Sequence, residues 1–141
     1  MPVTDDDAIH DVLKLESIAV VGCSTTAGKA AHEIPAYLQQ HGYEIHPVNP
    51  YAEYVLGNAA VDSLGAVEDS IDLVNVFRPS DEVAGIVDDT LTRRESVGDI
   101  DALWLQLGIT DDDALAEAEA AGLTTVQDRC MKIEHQRLRS E

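Results

Sequence analysis

Short apolar segments alternate along this chain with stretches of helical periodicity, and this alternation constrains the fold more than any other feature. Five such segments occur, each ending at a glycine or a polar turn, at residues 17–22, 43–49, 71–77, 101–108 and 123–128. Strands separated by helices pair in parallel, because each helix carries the chain back across one face of the sheet. We therefore predict an α/β protein with a Rossmann-like three-layer fold, in which an open parallel sheet of about five strands forms a single domain over residues 1–141.

Capping and stop residues place the helices between these segments. Thr4 and Thr110 each precede a run of acidic residues, so we expect them to be the N-caps of the first and fourth helices. Gly42 and Gly122 follow helical segments and are expected to end them. Pro35 lies inside the second predicted helix, residues 29–41, which is unfavourable unless the helix begins near that proline.

The charge of the chain narrows the classes of partner. Asp and Glu together number 27 against 9 Lys and Arg, which gives a net charge of −18, and the acids are spread along the whole sequence. A phosphate backbone would meet net repulsion, so we expect no nucleic-acid partner. We interpret the composition as the acidic surface of a halophilic protein, whose self-repulsion is screened by salt.

The sequence also predicts neither a membrane partner nor a metal site. No stretch approaches the ~20 apolar residues that cross a bilayer. Residues 1–17 carry acids where a signal peptide needs positive charge, so we expect a soluble, cytoplasmic protein. The two cysteines and five histidines lack the spacing of a zinc site or a disulfide framework, so no metal is expected.

The turn after the first apolar segment, "GCSTTAGKAA", suggests a phosphate site but matches neither standard motif. Ser24 occupies the position of the second glycine of GxGxxG. In a Walker loop, Gly22 and Gly28 would be one residue closer, and a Ser or Thr would replace Ala30 after Lys29. What remains is a small-residue, hydroxyl-rich turn. Such a turn cradles an anion at a helix N-terminus, or is simply a tight turn.

The end of the second apolar segment bears on the choice of ligand. NAD-binding sheets usually carry an acidic residue there, which accepts hydrogen bonds from the ribose hydroxyls. This chain has "PVNP", with the neutral Asn49 between two prolines. The absence of a carboxylate weighs against ordinary NAD recognition.

Six segments resemble, in order, a known family. They are "IAVVGCS", "YLQQHGYEIHPVNP", "EYVLGNAAVDSL", "IDLVNVFRPS", "ALWLQLG" and "DRCMKIEHQRL". The family is that of small stand-alone CoA-binding domains, which are similar to the CoA-binding domain of succinyl-CoA synthetase and of the NDP-forming acyl-CoA synthetases. The resemblance covers about residues 14–138. It implies a Rossmann fold that holds coenzyme A by its ADP moiety.

The resemblance also implies a set of cofactor-binding residues. The pyrophosphate turn would be formed by Gly22, Cys23, Ser24 and Thr25. The ribose or adenine would lie beside Asn49 and Pro50. The nucleotide would be bordered by Val76, Phe77 and Arg78. Relatives carry an arginine, a proline and a serine where this chain has "GKAA", so Lys29 is the substitute cation there. Arg78 has an alternative role in a surface ion pair with Asp81 or Glu82.

Three further residues have competing interpretations. Trp104 lies within an apolar segment and is expected in the core rather than as a stacking platform for a ligand. Cys23, in the phosphate turn, and Cys130 are either reactive thiols able to form a mixed disulfide with CoA, or buried and inert.

We thus expect a protein that binds coenzyme A or an acyl-CoA as a binding, carrier or sensor protein. No trio of nucleophile, base and orienting residue is apparent, and we expect no activity of its own. Two alternatives stay open. One is an NAD(P)-binding oxidoreductase or nucleotide sensor, and the other is a protein-interaction module with a decayed nucleotide site. A homodimer and a ligase subunit are the candidate assemblies.

Overall fold

The computed structural model describes residues 1–138, which form a parallel sheet covered by helices on both faces. The strands are β1 (Ser17–Val21), β2 (Glu44–Val48), β3 (Tyr54–Val55), β4 (Asn58–Ala59), β5 (Leu73–Val76), β6 (Ala102–Leu105) and β7 (Thr124–Val126). The helices are α1 (Asp6–Leu13), α2 (Ala30–Gln40), α3 (Val83–Val97), α4 (Asp112–Ala120) and α5 (Met131–Leu138). The main sheet has the order β2-β1-β5-β6-β7 with every neighbouring pair parallel, and β3 and β4 form a separate hairpin. The predicted Rossmann-like fold is confirmed.

Two apolar clusters, one on each face of the sheet, give the fold its three layers. One cluster joins β1 and β6 to Ile9 of α1, Leu38 of α2 and Met131 of α5. The other joins the sheet to Val87 of α3 and Leu115 of α4. Because α2 and α3 cover opposite faces, the strand order reverses between β1 and β5. Ligands of open α/β sheets bind at this kind of switch point, beyond the carboxyl ends of the strands.

Trp104 of β6 is a core residue, as predicted. Its side chain is wholly buried. The indole Nε1–H donates a hydrogen bond to the carbonyl oxygen of Arg129 at 2.8 Å, so the one polar group of the ring is satisfied.

The N-caps of two helices lie one residue later than predicted. Asp5, not Thr4, caps α1 by accepting a hydrogen bond from the backbone N–H of Ala8 at 3.0 Å. Asp111, not Thr110, caps α4 in the same way through the N–H of Ala114 at 3.0 Å. An aspartate accepts the bond as well as a threonine does, and its charge also favours the positive end of the helix dipole.

Pro35 is inside α2, and the helix tolerates it because of a contact with the first turn. A proline has no N–H to donate to the carbonyl four residues earlier, which is that of Ala31. That carbonyl instead accepts a hydrogen bond from the backbone N–H of Ser24 at 2.9 Å. The proline therefore leaves an acceptor with which α2 holds the turn that follows β1.

A buried arginine on α3 fixes the segment before β5. Arg93 forms an ion pair with Asp99, with Nη2 and Oδ2 3.0 Å apart, and both side chains are almost fully buried. Its guanidinium also donates to the carbonyl oxygens of Leu64, Val67 and Asp69 at 2.6–3.0 Å. One side chain thus binds three carbonyls of a segment that has no regular strand of its own.

Within residues 1–138, every helix is too short or too polar to cross a bilayer.

Candidate ligand-binding cleft

A cleft of about 1040 Å³ lies at the carboxyl ends of β1, β2, β5 and β6. Its volume is at the upper end of the range of small-molecule sites, ~300–1,000 Å³. The cleft spans the switch point between β1 and β5, where a parallel sheet of this type is expected to hold a ligand.

Most of the residues predicted for a cofactor site line this cleft. They are Gly22, Cys23, Ser24, Lys29, Asn49, Pro50, Phe77 and Arg78. Two others lie outside the lining. Thr25 is exposed on the turn, and Val76 is completely buried, within the cluster that packs against α3. Side chains alternate between faces along a strand, so Val76 packs into one layer while Phe77 reaches the cleft.

Gly22 makes the first turn possible in two ways. Its φ of +89° lies in the left-handed region, which side chains with a Cβ rarely adopt. A Cβ at this position would also lie 2.9 Å from Cδ of Arg78. The stem of Arg78 therefore passes directly over the glycine, and the turn and the arginine depend on each other.

The N-terminus of α2 is open to an anion. Lys29 is its N-cap residue and makes no side-chain capping bond, so the N–H groups of Ala30 and Ala31 begin the helix without a side-chain acceptor. Both alanines line the cleft. Unsatisfied N–H groups and the helix dipole together favour a negative group at this point.

The remaining turn is held by the chain's own oxygen atoms. Ser24 Oγ accepts a hydrogen bond from the backbone N–H of Thr26 at 3.0 Å, and Glu33 Oε1 accepts one from Gly28 at 2.6 Å. These two N–H groups reach a ligand only by exchanging these partners. The N-terminus of α2 is therefore the better anion position.

Asn49 connects the end of β2 to the first turn. Its Nδ2 donates to the carbonyl oxygen of Cys23 at 2.9 Å, and its Oδ1 accepts from the N–H of Tyr51 at 2.8 Å. Both ends of the amide are occupied within the chain. Asn49 therefore shapes the cleft wall, and Pro50 and the 95 % exposed Tyr51 follow it at the rim.

Arg78 is paired with Glu82, one of the two acids considered from the sequence. Nε lies 3.1 Å from Oε1 and Nη2 lies 2.7 Å from Oε2, a two-pronged contact between half-exposed side chains. The hydrogen bond from Arg78 holds the pKa of Glu82 below its usual value. A phosphate that binds Arg78 must share or replace this carboxylate.

The lining carries more acidic than basic side chains. The cations are Lys29 and Arg78, and the carboxylates are Asp62, Glu82 and Asp89. An anionic ligand therefore depends on close, directed contacts, because the surrounding field opposes it.

Asp62 was missed by the sequence analysis. Val61 forms a parallel bridge to Val48 at the end of β2, with the N–H of Asn49 donating to the carbonyl oxygen of Val61 at 2.9 Å. Asp62 is thereby brought beside Asn49 and Pro50. The only local signal is a brief apolar stretch before it, which is too short to identify as a strand.

The opposite end of the cleft is apolar. Leu107 and Ile109 follow β6, and Cys130 and Ile133 come from the start of α5 and the residue before it. Leu107 is 64 % exposed and Ile133 is 53 % exposed, which is unusual for large apolar side chains. The cleft thus runs from a polar end at β2 to an apolar end at β6.

The two cysteines differ in their environment. Cys23 is completely buried, and burial raises the pKa of its thiol to about 12. Cys130 is partly exposed and lines the cleft. Cys23 is therefore buried, as one of its two interpretations expects, and its low reactivity stays a prediction.

We expect one thiol per chain to react quickly with Ellman's reagent at pH 8. Cys130 is accessible, whereas Cys23 is buried and stays protonated well above that pH, because its pKa is raised. The Cys130→Ala variant should leave no fast-reacting thiol until denaturant is added. Fast labelling of that variant in its native state would contradict the buried position of Cys23.

A candidate cation-binding group lies at the opposite end of the strands from the cleft. Among residues 1–138, Glu44, His46 and Asp69 bring potential ligand atoms within 4.8 Å of one another. His46 Nε2 is, however, 3.0 Å from Ser17 Oγ, and both carboxylates are exposed. These residues lie near the amino ends of the strands and take no part in the cleft.

Comparison with known proteins finds a family and related structures for this chain. A family model described as a CoA binding domain matches residues 16–136. The chain is 36 % identical over 128 residues to the uncharacterized protein YneT of Bacillus subtilis, covering 90 % of this chain and 91 % of that protein. The solved structure of a hypothetical protein from Pyrococcus horikoshii OT3 superposes with a TM-score of 0.89 at 31 % identity, over 99 % of this chain and 97 % of that one.

A further similarity covers only part of the chain. Over 74 residues it is 32 % identical to an ADP-forming acetate–CoA ligase II of Archaeoglobus fulgidus, which is 51 % of this chain but 11 % of the ligase. The similarity therefore concerns one small part of that enzyme.

Proposed function

The chain belongs to the CoA-binding domain family, and on this basis we propose that it binds coenzyme A or an acyl-CoA through the ADP moiety, as a stand-alone binding, carrier or sensor protein. The observation that carries the proposal is the meeting of three anion-binding features in one cleft. They are the tight turn at Gly22, the open N-terminus of α2 and the guanidinium of Arg78. Together they suit a pyrophosphate.

The two ends of the cleft suit the two arms of such a ligand. The adenosine would lie toward Asn49, Pro50 and Tyr51, at the carboxyl end of β2. The pantetheine chain, or an acyl group on it, would extend toward the apolar side chains of Leu107 and Ile133. This direction places the ligand thiol on the side of the cleft that Cys130 lines.

A calorimetric titration with CoA, acetyl-CoA, ADP, NAD and NADP tests the proposal. A ligand at 100 times its Kd adds ~2.7 kcal/mol to the free energy of unfolding, so a thermal melt gives an independent readout. We expect CoA and acetyl-CoA to bind and NAD to bind far more weakly. Tighter binding of NAD would overturn the proposal, and binding of none of the five would favour an interaction module.

NAD is the second candidate because of Asp62. This residue provides, from a different segment, the carboxylate that the end of β2 lacks. An NAD(P)-dependent function is therefore the alternative that the same titration measures directly.

The salt dependence of CoA affinity distinguishes the attraction of the cleft cations from the repulsion by the acidic surface. Titrations at 0.1 M and 2 M KCl should show tighter CoA binding at high salt if repulsion by the acidic surface dominates. They should show weaker binding if the contacts with Lys29 and Arg78 dominate. The halophilic character, the cytoplasmic location and the assembly as a homodimer or ligase subunit stay predictions.

Arg78 and Glu82 should affect CoA affinity in opposite directions. Arg78→Ala is expected to weaken CoA binding about tenfold, the loss of one charge-assisted hydrogen bond. Glu82→Gln is expected to strengthen it severalfold, because it frees the guanidinium and removes a negative charge. Calorimetry on both variants measures these changes.

Lys14→Ala is the matched control, since it removes an exposed cation that lies outside the cleft and that, within residues 1–138, pairs with Asp11 alone. Its CoA affinity should stay within about twofold of that of the unmodified protein, because Lys14 does not line the cleft and salt screens exposed charges. Unchanged affinity in Arg78→Ala would remove Arg78 from the site.

A further inference from the structure

The position of Asp62 bears on which nucleotides the cleft accepts. The parallel bridge between Val48 and Val61 extends the sheet edge beyond β2, so Asp62 follows Val61 as Asn49 follows Val48. Two hydrogen bonds fix this register, one from the N–H of Asn49 to the carbonyl oxygen of Val61 and one from the N–H of Val61 to that of Pro47, at 2.9 and 3.1 Å. The carboxylate therefore stands at the β2 end of the cleft by backbone pairing.

The carboxylate of Asp62 is available to a ligand. It lines the cleft, its residue is exposed, and within residues 1–138 its side chain takes part in no hydrogen bond or ion pair. Of the other two cleft acids, Asp89 lies on α3 and Glu82 directly precedes that helix, and Glu82 is already engaged by Arg78. Asp62 is thus the acid that faces the ribose end.

A carboxylate beside a ribose raises the affinity for one kind of ligand and lowers the affinity for another. An ionised carboxylate only accepts hydrogen bonds, and the 2′ and 3′ hydroxyls of a ribose donate them. A phosphate on the 3′ oxygen removes one donor and brings a second negative charge close to the first. Free hydroxyls are therefore favoured by the same group that opposes a 3′-phosphate.

We propose that Asp62 is the specificity-determining residue of the ribose end, and that it biases the cleft toward ligands whose adenosine ribose carries free 2′ and 3′ hydroxyls, such as 3′-dephospho-CoA, over those with a 3′-phosphate, such as CoA. The inference rests on the proposed function, because it assumes that the adenosine lies at the β2 end. It goes beyond that function by naming the part of the ligand that this chain discriminates.

Paired titrations with CoA and 3′-dephospho-CoA test the inference on three proteins: the unmodified chain, Asp62→Asn and Asp88→Asn. Asp88 is the matched control, because it is an exposed acid on α3 whose replacement changes the net charge equally but which does not line the cleft. Thermal melts of both variants verify that they are folded. Measurements at 0.1 M and 1 M KCl separate a charge effect from a change of shape.

In Asp62→Asn we expect CoA to bind more tightly and 3′-dephospho-CoA to bind more weakly. The ratio of the two Kd values should shift by on the order of fivefold at 0.1 M KCl, the size expected for two exposed charges a few ångströms apart, and by less at 1 M. Asp88→Asn should leave the ratio within about twofold of the unmodified chain.

The outcomes distinguish the inference from the function on which it rests. Binding of both ligands with the same Kd ratio in Asp62→Asn and in the unmodified chain overturns the role of Asp62 but leaves the proposed function standing. Binding of neither ligand to the unmodified chain overturns both. An equal shift in Asp88→Asn overturns the inference as well, since the effect would then come from net charge.

Discussion

The Arg93→Ala variant is expected to lose about 3–5 kcal/mol of unfolding free energy, which is the cost of breaking a buried ion pair from one side. The substitution leaves the carboxylate of Asp99 almost fully buried without its cation. It also removes the donors to the carbonyl oxygens of Leu64, Val67 and Asp69. Urea denaturation of the variant and the unmodified protein measures the loss.

The control for this stability measurement is Arg78→Ala. That arginine forms a half-exposed pair with Glu82, and exposed pairs contribute about 0–1 kcal/mol. A loss below about 1 kcal/mol in Arg93→Ala would mean that the segment before β5 is held by its apolar contacts alone. Because Leu64 lines the cleft, we also expect the Arg93 variant to bind CoA more weakly.

The Gly22→Ala variant is expected to bind CoA ten- to a hundredfold more weakly than the unmodified protein. Alanine is strained at a φ of +89°, and its Cβ would meet the stem of Arg78. A strained backbone position costs ~1–3 kcal/mol, which is about one to two factors of ten when it is relieved by opening the turn. Calorimetric titration measures the change in affinity, and a thermal melt measures the accompanying loss of stability.

Gly85→Ala is the matched control for this substitution. Gly85 lies within α3, and a Cβ there has no neighbour within 4 Å. The same change should leave CoA affinity unaltered and should stabilise the helix by up to ~1 kcal/mol, since alanine is the better helix former. Wild-type affinity in Gly22→Ala would show that the turn after β1 does not shape the ligand site.

The order of the helices and strands was predictable because its causes are local. Apolar segments such as that of β1 end at turn residues, and α1 and α4 begin at acidic caps, within a few residues of the positions that these signals mark. The caps at Asp5 and Asp111 lie one residue from their predicted places, because neighbouring residues cap almost equally well. Parallel pairing then follows from the lengths of the connections.

The predicted site residues also fall into those that local sequence could identify and those that it could not. Gly22 and Arg78 lie within two residues of the carboxyl ends of β1 and β5, and both line the cleft. These positions were predictable because the end of a strand is marked in the sequence itself. The full burial of Val76 depends on which face of the sheet its side chain meets. Sequence alone left that face undetermined.

The sequence by itself determined the α/β class, the family resemblance and the strand ends where a ligand would be sought, since each depends on the order of neighbouring residues. Only the tertiary structure decided the remaining features. The bridge from Val48 to Val61 brings Asp62 to the cleft, and the folded chain places Arg93 against the carbonyls before β5. The pairing of Arg78 with Glu82 was one of two options until the turn was folded. The physical reason is that these contacts join segments through hydrogen bonds and charges whose partners no local pattern specifies.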